Sequence, residues 1–211
     1  MIKIIQNFKT VVLADGDFPQ NPVPLSFLQN AKKIICCDGA TENLVRAGFS
    51  PDFIVGDMDS IPKDLKTRFT SIITQISEQE TNDLTKSVTF AVEKGLKEIT
   101  VLGATGKRED HTLGNLSLLA DYAEKADIQM LTEHGVFVAV DKSAVFESFP
   151  GQQVSIFSFD PRCLITTSNL AYPIKKRGLT SWWQGTLNES TSDTFTIEFS
   201  GGKLLVFRKY C

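Results

Sequence analysis

The sequence has little of what zinc-binding, secreted and membrane proteins require. Its 211 residues include two histidines and four cysteines, and no two cysteines have the C-x-x-C spacing. This composition argues against a structural zinc site and against a disulfide framework. The first apolar stretch is too short for a secretion signal, and no run approaches the roughly 18 apolar residues of a membrane span. The sequence therefore predicts a reduced, cytoplasmic protein with no membrane partner.

An excess of positive charge is also missing. The chain has 22 Lys and Arg against 25 Asp and Glu, which leaves a formal net charge of −3. Because nucleic-acid binding usually needs a basic face interleaved with aromatic residues, we expect no nucleic-acid partner. Small phosphorylated ligands stay open, since a bound metal ion can supply positive charge. With 42% apolar residues, the composition is that of a globular protein with a substantial core.

The first two thirds of the chain alternate between short apolar runs and amphipathic stretches. Strands are predicted at residues 10–14, 33–37, 52–55, 71–76, 98–102 and 128–131. Helices are predicted at residues 25–31, 41–47, 62–69, 82–94 and 112–125. Apolar strands separated by helices indicate a mostly parallel sheet covered on both faces. We therefore predict a Rossmann-like three-layer α/β/α domain over residues 1–141.

The pattern changes near residue 143, where short alternating runs replace the helices. Strands are predicted at residues 144–148, 153–159, 164–167, 194–199 and 203–208. The last two are separated by Ser-Gly-Gly, which predicts a hairpin. We predict a small antiparallel β domain over residues 142–211.

Acidic residues follow three of the predicted strands, at the sheet edge where α/β proteins bind ligands. Asp15 and Asp17 follow the first strand, Asp38 follows the second, and Gly56-Asp57-Met58-Asp59-Ser60 follows the third. In an extended segment, residues two apart point to one side, so Asp57 and Asp59 can face one cation. Hard carboxylate oxygens suit Mg²⁺. The alternative is that one Asp caps the next helix while the other is solvated.

Two further segments have the chemistry of phosphate binding. Asp83 and Lys86 are three apart at the start of a predicted helix and share a face, although the spacing alone favours a cap followed by a solvated lysine. Residues 103–110 are not a Walker loop, but they hold two glycines and the adjacent cations Lys107 and Arg108, and a helix follows. Asp110 and His111 can cap that helix; His111 as a general base is the alternative.

Two pairs of neighbouring residues remain. Cys36 and Cys37 lie in an apolar run and are interpreted as buried packing. Trp182 and Trp183 lie in a polar, turn-rich segment, where they can stack on a flat heterocycle or fill the core of the β domain.

Four segments, in order over residues 10–120, resemble the thiamine pyrophosphokinase family. They are Asp38-Gly-Ala, Gly56-Asp-Met-Asp-Ser60, Asn82-Asp-Leu-Thr-Lys86, and the stretch from Leu102 to His111 that runs into a helix. The C-terminal part is similar to the same family more weakly, through Gly178-Leu179, the tryptophan pair and Ser190-Thr-Ser-Asp193.

The resemblance implies transfer of the pyrophosphoryl unit of ATP to the hydroxyl of thiamine, giving thiamine diphosphate and AMP. It also implies Mg²⁺, a C-terminal β-sandwich, and a homodimer with active sites at the subunit interface. The metal and catalytic centre implied is Asp57, Asp59 and Asp83, with Arg108 as a catalytic cation. The implied nucleotide-binding residues are Asp38, Asn82, Lys86, Gly103, Thr105, Gly106, Lys107, Asp110 and His111. The thiamine-binding candidates are Trp182, Trp183 and Ser192.

This chain departs from the family pattern at three positions. Asn82 stands where Thr is usual, Glu80 where Asp is common, and Asp193 where many members have Asn.

Two other functions fit part of the pattern. A Mg²⁺-dependent phosphohydrolase would use the same carboxylates but leave the cationic loop without a role, and a non-catalytic thiamine or nucleotide sensor would bind without turnover.

Overall fold

A computed structural model describes residues 1–210 and divides into two compact units. The first unit covers residues 7–133. The second combines residues 1–6 with the chain from His134 onward. The second unit thus begins ahead of residue 142, the predicted start of the β domain, because the strand at 135–140 pairs with the last strand of the chain.

The first unit contains six strands and five helices. The strands are β1 (Thr10–Leu13), β2 (Lys33–Cys37), β3 (Phe53–Gly56), β4 (Ile73–Gln75), β5 (Glu98–Leu102) and β6 (Asp127–Leu131). The helices are α1 (Pro22–Gln29), α2 (Thr41–Arg46), α3 (Lys63–Arg68), α4 (Asp83–Glu93) and α5 (Glu109–Tyr122). Short 3₁₀ turns cover Asp38–Ala40 and Thr70–Ile72. These elements confirm the predicted α/β class.

All six strands run parallel, in the order β6-β5-β1-β2-β3-β4. The order reverses between β1 and β5, since the chain first builds outward through β4 and then returns to the other side of β1. Val11, Val12 and Ile35 in the central strands are fully buried, as expected for a sheet covered on both faces. A reversal of this kind leaves a crevice at the carboxyl ends of the strands, which is where α/β proteins bind ligands.

Side-chain caps account for the starts of two helices. Asn21 accepts a hydrogen bond from the N–H of Val23 at the start of α1, and Pro22 follows it at the first helical position. Asn82 does the same for α4 by accepting from the N–H of Thr85. Helix α5 begins at Glu109, ahead of the predicted residue 112, with two acidic residues in its first turn. Acidic residues are favourable there because the helix N-terminus carries partial positive charge.

The second unit is built from seven antiparallel strands in two groups. They are β7 (Gly135–Val140), β8 (Ala144–Glu147), β9 (Gln153–Ser158), β10 (Leu164–Ser168), β11 (Asn188–Glu189), β12 (Thr194–Ser200) and β13 (Leu204–Lys209). One group has the order β11-β9-β13-β7, and the other has the order β10-β12-β8. Within the described residues after 143, the one helical element is a 3₁₀ turn at Trp182–Gly185, in line with the prediction.

The predicted hairpin around Ser-Gly-Gly is wrong. Strand β12 pairs with β8 and β10, whereas β13 pairs with β7 and β9, so the two strands belong to different sheets. Gly201 and Gly202 both have positive φ, at 72° and 78°, and carry the chain from one sheet to the other. The local sequence is the same for either connection, because the choice depends on partners distant in the chain.

Arg208 connects the N-terminal residues to the rest of the second unit. Its guanidinium is fully buried, stacks 5.2 Å from the centre of the Phe146 ring, and donates hydrogen bonds to the carbonyl oxygens of Ile2, Lys3 and Glu147. Burial lowers the pKa of Arg208 to about 10.

None of the helices among residues 1–210 is long and apolar enough to span a bilayer.

Candidate active site

The loops that follow β1, β2, β3 and β5 surround a cleft of about 400 Å³ in the first unit. It lies at the carboxyl ends of the strands where the strand order reverses. The loop after β1 and the glycine loop, residues 103–108, are joined directly. The N–H of Gly16 donates to the Gly103 carbonyl at 2.5 Å, and the N–H of Asp17 donates to the Thr105 carbonyl at 2.8 Å.

Three carboxylates converge on one side of this cleft. One oxygen each from Asp38, Asp57 and Asp59 lies within 4.8 Å of the others. Asp38 is 1% exposed, and its two oxygens accept the N–H groups of Gly39 at 2.8 Å and Met58 at 2.9 Å. An all-oxygen set of this kind fits Mg²⁺, which prefers hard ligands and retains some of its water.

The backbone at Met58 is not extended as the sequence argument assumed. Met58 has a φ of 69°, in the left-handed region, and its side chain is buried beside Ile54 and Ile61. Asp57 and Asp59 therefore flank a turn, in which the N–H of Asp59 donates to Asp57 Oδ1 at 3.1 Å. The turn also aims the N–H of Met58 at Asp38 and so fastens the acid after β2 to the loop after β3.

The pKa values of Asp38 and Asp57 are shifted in opposite directions. Burial, with the charge of Asp83 adding to it, raises the pKa of Asp38. The side-chain amide of Gln79 donates to Asp57 at 3.0 Å and, with the N–H of Asp59, lowers the pKa of Asp57. Asp57 is therefore the more firmly ionised of the two at neutral pH.

Asp83 lies on the same cleft but pairs with a lysine. Its Oδ1 is 3.1 Å from Nζ of Lys86, whose side chain is 3% exposed. Burial alone would lower the pKa of Lys86, but the hydrogen bond and charge of Asp83, with the charges of Asp57 and Glu78, outweigh it and raise the pKa. The first turn of α4 thus places one buried cation at the cleft, and Lys86 is not the solvated residue of the alternative interpretation.

The glycine loop places two more cations at the cleft. Lys107 has a φ of 54°, and its ammonium is 2.6 Å from Asp15 in the loop after β1. Arg108 contacts Asp110 through two hydrogen bonds, from Nε at 3.1 Å and from Nη2 at 2.5 Å. This fork, together with the N–H of His111, lowers the pKa of Asp110 to about 2.

A glycine is required at one position of this loop. Gly106 has a φ of 82°, and a Cβ built on it would lie 2.0 Å from Oδ2 of Asp17. No side chain fits there while Asp17 keeps its place. This close approach of Asp17 to Gly106 explains why glycine precedes Lys107. From the sequence, the glycines of this loop were expected only to let backbone N–H groups approach a ligand.

The cleft is lined by charges of both signs. Lys86, Lys107 and Arg108 line it, and each is paired with a carboxylate. His111 also lines it, beside the N-terminus of α5. Cys37 reaches the cleft wall, but both Cys36 and Cys37 are buried, which confirms the packing interpretation. Because four carboxylates line the cleft against three cations, a phosphate ligand has to arrive with its own cation.

The tryptophan pair belongs to the second unit, where the two rings differ. Trp182 is 39% exposed, donates from Nε1 to the Ser158 carbonyl at 3.2 Å, and meets the rings of Phe157 and Phe159 edge to face. Trp183 is 72% exposed and lines a separate cavity of about 450 Å³. The structure thus gives Trp182 a packing role and leaves the face of Trp183 accessible.

Sequence reasoning missed one aromatic residue of this cavity. Tyr172 is 71% exposed and lines the same cavity as Trp183, Arg177 and Leu187. An aromatic residue before a proline in a polar, turn-rich segment is the signal that could have identified it. Ser192 is half-buried and is not among the residues that line the cavity; its carbonyl accepts from the hydroxyl of Ser190 at 2.9 Å.

Comparison with known proteins agrees with the resemblance. Residues 25–132 match the family model described as the catalytic domain of thiamin pyrophosphokinase, and residues 135–207 match that of its substrate-binding domain. A thiamine pyrophosphokinase of Bacillus subtilis is 32% identical over 117 residues, covering 53% of this chain and 54% of that protein. Thiamine pyrophosphokinase 1 of Oryza sativa is 34% identical over 104 residues, covering 44% of this chain and 39% of the relative.

The fold comparison covers the whole chain. The structure of thiamin pyrophosphokinase from Candida albicans superposes with a TM-score of 0.82 at 19% identity, over 100% of this chain and 92% of that one. The sequence alignments are shorter, and this chain spans about two fifths to one half of the curated relatives named above. Since one family model covers most of the residues that line the cleft and the other covers most of the β unit, the chain belongs to the thiamin pyrophosphokinase family.

Proposed function

We propose that this chain catalyses transfer of the pyrophosphoryl group of ATP to the hydroxyl of thiamine, giving thiamine diphosphate and AMP. The observation that supports it best is the cleft of the first unit, where an oxygen cluster and three cations meet. Triphosphate chemistry needs both, because catalysis of phosphoryl transfer consists mostly of positioning and charge stabilisation.

The residues proposed to hold Mg²⁺ are Asp57 and Asp59, with Asp38 added on the strength of the oxygen cluster. Asp83 stays a candidate at the same centre, with one oxygen held by Lys86. When bound, Mg²⁺ supplies positive charge beside the phosphate oxygens of ATP. This charge complements a lining in which every cation is already paired with a carboxylate.

The reaction forms a bond from the thiamine hydroxyl oxygen to the β-phosphorus of ATP. The bond between that phosphorus and the oxygen bridging to the α-phosphate breaks, and AMP leaves with the electron pair. Lys86 and Arg108 stabilise the triphosphate and the departing AMP, Arg108 by exchanging Asp110 for phosphate oxygens. The hydroxyl proton passes to a cleft carboxylate, for which Asp59 and Asp83 are the candidates.

Thiamine is a flat cation, and we propose that exposed aromatic faces of the second unit bind it. Trp183 and Tyr172 present such faces on one cavity. Stacking and cation–π attraction both favour a thiazolium ring there. Ser192 remains a further candidate from the resemblance.

We further propose a homodimer in which the partner subunit supplies the thiamine-binding residues. The outer face of β7, β9 and β13 supports it, because it carries a row of partly exposed rings: Phe137, Phe157, Phe207, Phe159 and Trp182. A row of aromatic rings is typical of an interface core.

We place the enzyme in the cytoplasm, which suits the free thiols of Cys36, Cys37 and Cys163.

The test is to incubate the purified protein with thiamine, ATP and Mg²⁺, and to separate the products beside a control without thiamine. Equal amounts of AMP and thiamine diphosphate, both dependent on thiamine, are expected. Thiamine monophosphate with ADP would contradict the reaction type. ATP breakdown that ignores thiamine would favour the phosphohydrolase, and binding without turnover would favour the sensor.

A further inference from the structure

Two side-chain amides join helix α4 to the glycine loop across the cleft wall. Asn82 Nδ2 donates to Asn115 Oδ1 at 3.0 Å, and Asn115 Nδ2 donates to the carbonyl oxygen of Ala104 at 2.8 Å. Asn82 precedes α4, Asn115 lies in α5, and Ala104 belongs to the glycine loop. All three residues line the cleft.

The direction of these hydrogen bonds is fixed at both ends. Asn82 Oδ1 accepts the backbone N–H of Thr85 at 2.9 Å, and a backbone N–H can only donate. At the other end the carbonyl of Ala104 can only accept, so Asn115 must present Nδ2 to it. Each amide therefore has one orientation, and Nδ2 of Asn82 is left facing Oδ1 of Asn115.

The Ala104 contact completes the anchoring of the glycine loop. Three consecutive carbonyls of the loop accept hydrogen bonds. Those of Gly103 and Thr105 accept from the loop after β1, and that of Ala104 accepts from α5. The loop is therefore held from two flanks, and Asn115 supplies the hydrogen bond on one of them.

We propose that Asn82 and Asn115 are a positioning pair. They set the distance between the cation on α4 and the two cations on the glycine loop. Lys86 sits on α4, whereas Lys107 and Arg108 sit on the glycine loop, so a triphosphate that bridges them depends on how the two elements are held. This inference rests on the proposed function in taking the ligand to be ATP. Asn82 acts through Asn115 and not through contact with the nucleotide.

Two neutral substitutions break the pair without adding charge. Asn82→Ser keeps a side chain that caps α4 but cannot reach Asn115. Asn115→Leu keeps a similar volume and removes both of its hydrogen bonds. Calorimetry with ATP and Mg²⁺ gives the dissociation constant, and amide hydrogen exchange reports the opening of residues 103–108.

Asn82→Ser removes one hydrogen bond of the link and is expected to raise the dissociation constant for ATP about fivefold; Asn115→Leu, which removes two, is expected to raise it at least as much. The double variant is expected to match Asn115→Leu, because that substitution already removes the hydrogen bond lost in Asn82→Ser. Exchange in the glycine loop should be faster in all three. A double variant in which the two losses multiply, or single variants with unchanged affinity and unchanged exchange, would overturn the proposal.

Tyr122→Phe is the matched control. The hydroxyl of Thr85 donates its one hydrogen to Asn82 at 2.8 Å, so the contact at 2.6 Å between Thr85 and Tyr122 is donated by Tyr122. The variant removes that bond and leaves the pair intact; it should lower the melting temperature but not the affinity for ATP. If the wild type makes no thiamine diphosphate, the proposed function fails, while loop exchange in the same variants still decides the positioning pair.

Discussion

Asp38 occupies the space that a side chain at Gly56 would fill. A Cβ built on Gly56 would lie 2.7 Å from the carboxyl carbon of Asp38, closer than two such carbons approach. The glycine that ends β3 thus makes room for the buried acid that follows β2. This relationship explains how carboxylates from two loops reach one oxygen cluster.

Gly56→Ala should therefore displace Asp38 and weaken Mg²⁺ binding, with a loss of activity of about tenfold or more. Gly114→Ala is the matched control, because a Cβ there meets nothing within 4 Å and the residue lies inside α5. It should leave activity unchanged and stabilise the fold by about 0.5–1 kcal/mol. Equal activity in the two variants, measured over a range of Mg²⁺ concentrations, would contradict the arrangement.

Asp57→Asn tests the metal assignment. It removes the acid of the cluster whose pKa is lowered, and kcat/KM should fall by about a hundredfold or more. Saturation should also need more Mg²⁺. Asp64→Asn in α3 is an exposed acid outside the cleft and should behave like the wild type. An Asp57→Asn protein with full turnover would remove Asp57 from the metal centre.

Arg108→Lys tests whether the fork geometry of the guanidinium matters. Lysine keeps the charge but cannot make two parallel bonds to phosphate oxygens, so the KM for ATP should rise about tenfold. Arg46→Lys is a close control, since Arg46 pairs with Glu42 at 2.5 Å and is 70% exposed, much as Arg108 pairs with Asp110 and is 67% exposed. A similar change in both variants would assign the effect to general charge.

Substitution of Trp183 and substitution of Trp182 should change different measured quantities, the first the KM for thiamine and the second the stability of the fold. Trp183→Ala removes an exposed face and should raise the KM for thiamine about tenfold while leaving the free energy of unfolding unchanged. Trp182→Ala removes the contacts to Phe157 and Phe159 and should cost about 2 kcal/mol of stability. Denaturant titration and thiamine kinetics on both proteins check this. The reverse pattern would exchange the two roles.

The thiol of Cys36 should be nearly inert in the native protein. Burial raises its pKa to about 12, so at pH 8 only about one thiol in ten thousand is ionised. Labelling of the Cys36 peptide by iodoacetamide, followed by mass spectrometry, should rise about tenfold per pH unit from pH 8 to pH 10. Unfolding in denaturant should abolish the protection. Rapid native labelling at pH 8 would contradict the burial.

The sequence predicted the parallel strands well because each is a continuous apolar run between turn residues. It failed where structure depends on distant partners. The strand at Gly135–Val140 was not predicted, and the connection through Gly201 and Gly202 was assigned to a hairpin, because pairing with β13 or with β12 leaves no local trace.

The loops of the candidate site could be predicted from the sequence, but the place of Asp38 in the oxygen cluster could not. The resemblance groups Asp57, Asp59 and Asp83, and the oxygen cluster of the described residues brings Asp38 to Asp57 and Asp59. The left-handed turn at Met58 decides this, and no local rule predicts positive φ for a methionine. The link between Asn82 and Asn115 is likewise invisible in sequence, since the two residues are 33 positions apart.

Attack of the thiamine hydroxyl at the β-phosphorus can be followed with labelled ATP. Three reactions, each with ATP carrying radioactive phosphorus at a single position, are run with thiamine and Mg²⁺. If the β-phosphorus is attacked, label from the β position and label from the γ position each appear in thiamine diphosphate, while label from the α position appears in AMP alone. Label from the γ position alone in a thiamine product, with the β label in ADP, would contradict it.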